Sequence, residues 1–335
     1  MSIAKLITFV LLFFSTSVFS YSGYLKITAL TTDKEWDFLP TIPQSFDSAQ
    51  TNTLEAFLIH GSYGFLISTS QFELDVVRSS EPKSLNLTAN KNKYEFFYLP
   101  NPQSAFSIAF KQQTADRQFI DCYSFGSLVI GSCPNASLKL TNSRDEFKEL
   151  NNSLIFIDGQ NRALQLNYRR AFSNLFADEV GLGIEITDMQ YFWLTPLENI
   201  QSPLIQNLNV SGRKLGDIIA LELSRLPQRE SWKSYQLNLN VLKSYQLSQS
   251  LSVFYDFDYI SIDHSKYRAL SDIPNSNIKF RSGLKYDFGK MQLSIFGDFY
   301  KNNLLGFEPI IVNQRTENYF TQNFGSLGAE ILVRF

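Results

Sequence analysis

The sequence predicts an all-β chain, a closed antiparallel transmembrane β-barrel of about 12 strands, with ten to fourteen as the workable range and an even number expected. Three observations predict it. Apolar and polar residues alternate with period 2 in segments about ten residues long, the length a tilted strand needs to cross a hydrocarbon core. Aromatic residues are abundant, with 30 Phe, 16 Tyr and 3 Trp in 335 residues; barrel walls use them at both membrane interfaces. In the C-terminal half the connections alternate between short turns (246–250, 287–290) and longer polar segments (262–276, 302–321), as in barrels with short turns on one side and long loops on the other.

The N-terminus reads as an export signal over residues 1–20. Lys5 precedes the apolar run Leu6–Phe14, and Val18 and Ser20 suit a peptidase site that cuts after Ser20. This core is shorter than the roughly 20 residues of a spanning helix, and no later stretch is long and apolar enough for one. The formal net charge of −2 and the lack of a basic patch argue against a nucleic-acid partner.

Candidate strands in the first half are short: 54–60, 62–68, 70–77, 83–89, 94–99, 104–110, 117–123, 127–131, 136–141 and 152–157. Pairs such as those in 62–77 join into one spanning strand. Asn90-Lys91-Asn92-Lys93 and Asp158-Gly159-Gln160-Asn161 have hairpin-turn composition. The expected organisation is a barrel over 21–335; the alternative is a periplasmic β-domain or plug over 21–160 before an eight-stranded barrel over 161–335. Cys122 and Cys133, closely spaced in an exported chain, read as one disulfide worth about 2–3 kcal/mol in the chain-entropy model, with two free thiols as the alternative.

The second half is cleaner. Leu164, Leu166 and Tyr168 share a face, as do Val180, Leu182, Ile184 and Ile186. Ile219, Leu221 and Leu223 mark a further strand over 215–224. The link 194–212, with Pro196 and Pro203, is then long where the strand count calls for a short turn. Tyr235, Leu237, Leu239 and Val241 form the next apolar row, and Leu251, Val253, Tyr255, Phe257 and Tyr259 the one after. Ile278, Phe280, Leu284, Tyr286 and Phe288 are followed, past a turn at Gly289, by Met291, Leu293, Ile295 and Phe299. The opposite rows hold Asp256, Asp258, Lys279, Arg281, Lys285, Gln292, Ser294, Asp298, Glu330 and Arg334, which would fill or line the lumen. Tyr191-Phe192-Trp193, Tyr286, Phe288, Phe299-Tyr300 and Tyr319-Phe320 fit interfacial girdles.

The last segment alternates Leu327, Ala329, Ile331 and Val333 and ends on Phe335. It resembles the C-terminal β-signal of Gram-negative outer-membrane barrels. The resemblance covers about ten residues and implies export to the cell outer membrane, contact with its lipid and lipopolysaccharide, and recognition by the barrel-assembly machinery.

Chemistry is sparsely signalled. The histidines are His60 and His264. Asp263-His264 is similar to the Asp-x-His pair of omptin-type proteases, but the two residues are adjacent and so point to opposite faces. His60-Gly61-Ser62 is similar to the His-x-Ser of outer-membrane phospholipase, but Tyr63 stands where that family has Asn, which removes the triad logic. No nucleotide, metal or cofactor motif is present. The expectation is therefore a non-enzymatic, porin-like channel for small solutes. A structural or surface-interaction barrel, and a solitary autotransporter-type barrel, are the alternatives.

Overall fold

The computed structural model describes residues 22–33, 46–76, 85–120, 122–125, 128–131, 155–172, 176–194, 209–210, 212–214, 217, 229–265, 275–302 and 323–335. The described strands are β1 (Ser22–Asp33), β2 (Phe46–His60), β3 (Tyr63–Val76), β4 (Leu85–Asn101), β5 (Ser104–Ile120), β6 (Cys122–Phe125), β7 (Leu128–Gly131), β8 (Ile155–Ala171), β9 (Glu179–Leu194), β10 (Asn209–Val210), β11 (Arg213–Lys214), β12 (Arg229–Gln246), β13 (Leu251–Ser265), β14 (Ser276–Asp287), β15 (Met291–Lys301) and β16 (Asn323–Arg334). Twelve of them close into one antiparallel barrel in the order β1-β2-β3-β4-β5-β8-β9-β12-β13-β14-β15-β16, with β16 back on β1. The pairs β6-β7 and β10-β11 stand outside the wall as separate hairpins.

Closure follows from the chemistry of the strands. An apolar environment cannot hydrogen-bond a free sheet edge, so the first and last strands must meet. Tyr24–Thr31 of β1 pair with Arg334–Leu327 of β16, and Gly23 and Phe335 exchange backbone bonds of 3.2 and 3.1 Å.

All five short connections lie at the end where β1 begins and β16 finishes: 61–62, 102–103, 172–178, 247–250 and 288–290. Gly61 and Gly289 supply positive φ in two of them (57° and 85°), and the Asp287 carboxylate accepts a bond from Gly289 N at 2.7 Å. The opposite end carries the six longer connections, including 121–154 and 195–228.

The apolar rows read from the sequence face outward. Leu164, Leu166, Leu182, Ile184, Ile186, Leu237, Phe280, Leu284, Ile295 and Ile331 are exposed large hydrophobics on a continuous belt, the surface a barrel presents to lipid. Several strands outrun that belt. On β4 the outward row Tyr98, Phe96 and Tyr94 gives way to Asn92 and Asn90, and on β5 Phe106, Ile108 and Phe110 give way to Gln112 and Thr114.

Four expectations are corrected. Asn90–Lys93 and Asp158–Asn161 are not turns: β4 keeps its register to β3 and β5 through the first, and β8 keeps its register to β9 through the second while its pairing with β5 carries a bulge between Ala115 and Gln118. Residues 22–33, to which no strand was assigned, form β1. Tyr300 is not an interfacial residue: adjacent to outward Phe299, it points inward, is 1% exposed, and its hydroxyl donates to Asp298 at 2.7 Å. No barrel strand stands between β9 and β12, which pair directly. The long link after β9 therefore joins the long-loop end, which removes the parity conflict; the expected strand 215–224 lies outside the described residues apart from Asp217. Also outside them are the export signal 1–20, Cys133 of the expected disulfide, candidate strand 136–141, Tyr319-Phe320, and most of the long segments at 262–276 and 302–321.

Candidate functional site

The inward rows build a polar lumen, and on β4, β5 and β9 carboxylates sit against the wall while cations reach past them. On β4, Glu95 is buried with its side chain 0% exposed. It pairs with Lys93 at 2.5 Å, accepts from Ser107 on β5 and from Asn167 on β8 (3.2 Å), and lies 3.9 Å from Arg169. On β9, Glu185 is equally buried; Lys111 of β5 donates to it at 2.7 Å and Thr187 at 3.0 Å. Beside this group, a Cβ at Gly183 of β9 would fall 2.4 Å from the Asn167 amide oxygen.

The other half of the wall carries a second network. Lys279 of β14 bridges Asp256 and Asp258 of β13 at 3.2 and 3.0 Å, and the Asn240 amide donates to both at 2.7 Å. Arg281 grips Asp298 of β15 through Nε and Nη2 at 2.6 and 2.7 Å, the two-pronged geometry that guanidinium favours. Nearer the short-turn end, Lys26 pairs with Glu55 at 2.8 Å, and the Tyr24 hydroxyl donates to the same carboxylate at 2.8 Å. Each of these carboxylates thus has a cationic partner, as desolvation requires.

Between the two halves lies a cavity of about 550 Å³, bounded by Lys91, Lys93 and Lys111 on one side and by Asp256, Asp258 and Lys279 on the other.

The lumen residues expected from the second half of the chain are placed as anticipated: Asp256, Asp258, Lys279, Arg281, Lys285, Gln292, Ser294, Asp298 and Glu330 fall on the inward row. Arg334 ends that row at the rim, bonded to Asp287 at 3.0 Å and Gln292 at 2.7 Å. The β4, β5 and β9 group was missed. The turn assigned to 90–93 hid Lys91 and Lys93; the signal that could have found them is the period-2 row Ala89, Lys91, Lys93, Glu95 and Phe97. Leu327, Ala329, Ile331 and Val333 share the outward face of β16, and Phe335 is exposed at the short-turn end. His60 closes β2 at the same end and is exposed. His264 was expected in a loop but lies in β13, its backbone in register with Ser234, because that strand runs on to Ser265.

No protein-family model and no curated protein matches the sequence. Among solved structures, the chain is similar to the translocator domain of autotransporter NalP from Neisseria meningitidis, with 9% identity and a TM-score of 0.48 over 99% of this chain and 95% of that one. It is also similar to the KdgM porin (9%, TM-score 0.37, 93% and 99%) and to a Pseudomonas aeruginosa FadL homologue (8%, TM-score 0.42, 93% and 90%). These likenesses concern the fold, that of Gram-negative outer-membrane β-barrels, and carry no argument about the lumen.

Proposed function

We propose that the chain is a non-enzymatic outer-membrane pore that passes small water-soluble solutes. The observation that carries this reading is the cavity of about 550 Å³ inside the closed wall, lined by charged and carboxamide side chains. A barrel serving only as a scaffold gains nothing from such a void, because its polar walls must be kept hydrated. The outward belt would meet the lipid and lipopolysaccharide of the outer membrane. The outward row Leu327, Ala329, Ile331, Val333 and Phe335 is the segment we assign to recognition by the barrel-assembly machinery. With the short turns in the periplasm, the long connections face the outside of the cell.

The test is single-channel recording of the detergent-folded barrel in planar bilayers. Discrete current steps are expected. Folding is checked beforehand by the faster gel migration of unboiled protein, so a correctly folded barrel that gives no steps would refute the pore.

A further inference from the structure

Within the proposed pore, the two sides of the cavity differ in which charges reach the solvent. Six Lys and Arg side chains line the cavity, against three carboxylates, Glu179, Asp256 and Asp258. The imbalance comes from depth. Lys93 and Lys111 keep 25% and 21% of their side-chain surface exposed, while their counter-ions Glu95 and Glu185 keep 0% and 1%. A solute arriving at this wall meets ammonium groups first and finds the carboxylates behind them. Coulomb attraction falls with distance, so the nearer charge decides the sign felt at contact.

The register sharpens this. Lys93 on β4 stands directly opposite Lys111 on β5, both on the inward face, and Lys91 is the next inward residue on β4. Like charges directly opposed across a strand pair weaken a sheet. Three ammonium groups converging on one patch of the cavity wall is an arrangement that stability alone would not favour.

We propose that Lys91, Lys93 and Lys111 form an anion-binding face, so that the pore admits compact anionic solutes, those carrying a carboxylate or phosphate group, ahead of cations. A cavity wall of one sign concentrates counter-ions, and the low-dielectric barrel around it strengthens the effect. The Asp256–Lys279–Asp258 network opposite holds two carboxylates, 20% and 30% exposed, against one ammonium, so the two walls of the cavity differ in sign and the lysine face is the one that meets an anion. This inference rests on the pore reading but has its own failure mode.

The experiment measures the reversal potential of the wild-type pore in a potassium chloride gradient, then adds inorganic phosphate to look for block. Two variants accompany it. One carries Lys91→Gln, Lys93→Gln and Lys111→Gln. The other carries Lys93→Gln, Glu95→Gln, Lys111→Gln and Glu185→Gln, which leaves the net charge unchanged and strands no buried carboxylate. A several-fold preference for chloride in the wild type, with phosphate block, that collapses in both variants is the expected result. Current steps with no anion preference, or a preference that survives in the charge-balanced variant, would overturn the lysine face while leaving the pore intact. If no steps appear, the pore reading fails instead. Titration calorimetry of the detergent-folded barrel with inorganic phosphate then decides the site: binding lost in both variants keeps it, and no binding overturns it.

Discussion

The ring of Phe296 occupies the space that a side chain at Gly328 would need: a Cβ on Gly328 would come within 2.3 Å of Phe296 Cε2. On the other flank, a Cβ on Gly283 would meet Phe296 Cβ at 2.5 Å. Both glycines are the register partners of Phe296, on β16 and β14. The ring therefore lies along the wall between two bare backbones, with the Arg281 guanidinium 3.7 Å over its centre.

Gly328→Ala should turn the Phe296 ring away from the wall and cost about 1–3 kcal/mol, the usual range for overpacking. The temperature at which the compact gel band is lost should fall, and single-channel conductance should drop. Adding Phe296→Ala should recover both; no recovery would show that the strain lies elsewhere.

Arg281 and Asp298 form an almost fully buried pair, and removing one member should be worse than removing both. Arg281→Met leaves the Asp298 carboxylate without its guanidinium, at about 3–5 kcal/mol, while the double change to Met and Leu should cost much less. Urea unfolding of the detergent-folded barrel measures this, and a simple sum of the two single effects would refute the coupling.

The hairpins from β12 to β16 were legible in the sequence because each outward row there is apolar over most of its length while the inward row is mainly polar. Leu251 to Tyr259 and Ile278 to Tyr286 could be read directly. The lumen half built on β4, β5 and β9 was not legible, for a physical reason. Where β4 rises above the apolar belt, outward Asn90 and Asn92 are as polar as inward Lys91 and Lys93, so alternation vanishes although the strand continues. The same loss hid Gly159–Asn161 in β8. β1 is short in outward apolar residues, Leu25, Ile27 and Ala29, and its pattern emerges only once Lys26 and Thr28 are seen to face Glu55 and Glu330.

The connection 172–178 supplies a pH-dependent contact outside the spanning segments. Lys243 donates to Asp178 at 2.7 Å and Ser244 N donates to the same carboxylate at 2.8 Å; with Lys243 the larger cause, these hold the Asp178 carboxyl below its ordinary range. A carboxylate lowered on folding stabilises the fold fully above its unfolded value, about 3.9, and loses that contribution as pH falls through the folded value. Asp178→Asn should therefore lower the thermal midpoint at neutral pH, and the difference from wild type should close in strong acid. A gap that persists there would assign the effect to packing rather than charge.

Deleting Phe335 removes two backbone bonds to Gly23 but leaves the Tyr24–Thr31 register on β16 intact. The variant should still fold in detergent and still migrate fast unboiled, yet its yield in the outer membrane of expressing cells should fall sharply. Equal yield with wild type would sink the assigned role in assembly.

The seam between β1 and β16 joins the first described strand to the last, Tyr24 beside Arg334. Contacts of such sequence separation form slowly, because the loop they close must be ordered before they contribute. Until β16 arrives, β1 keeps one side unpaired, and an unpaired strand edge recruits other chains. The hazard for this protein is thus one of timing: the interval between the pairing of its first strands and the docking of its last is when a half-built wall can be captured by a neighbour, and whatever shortens that interval protects the closed barrel.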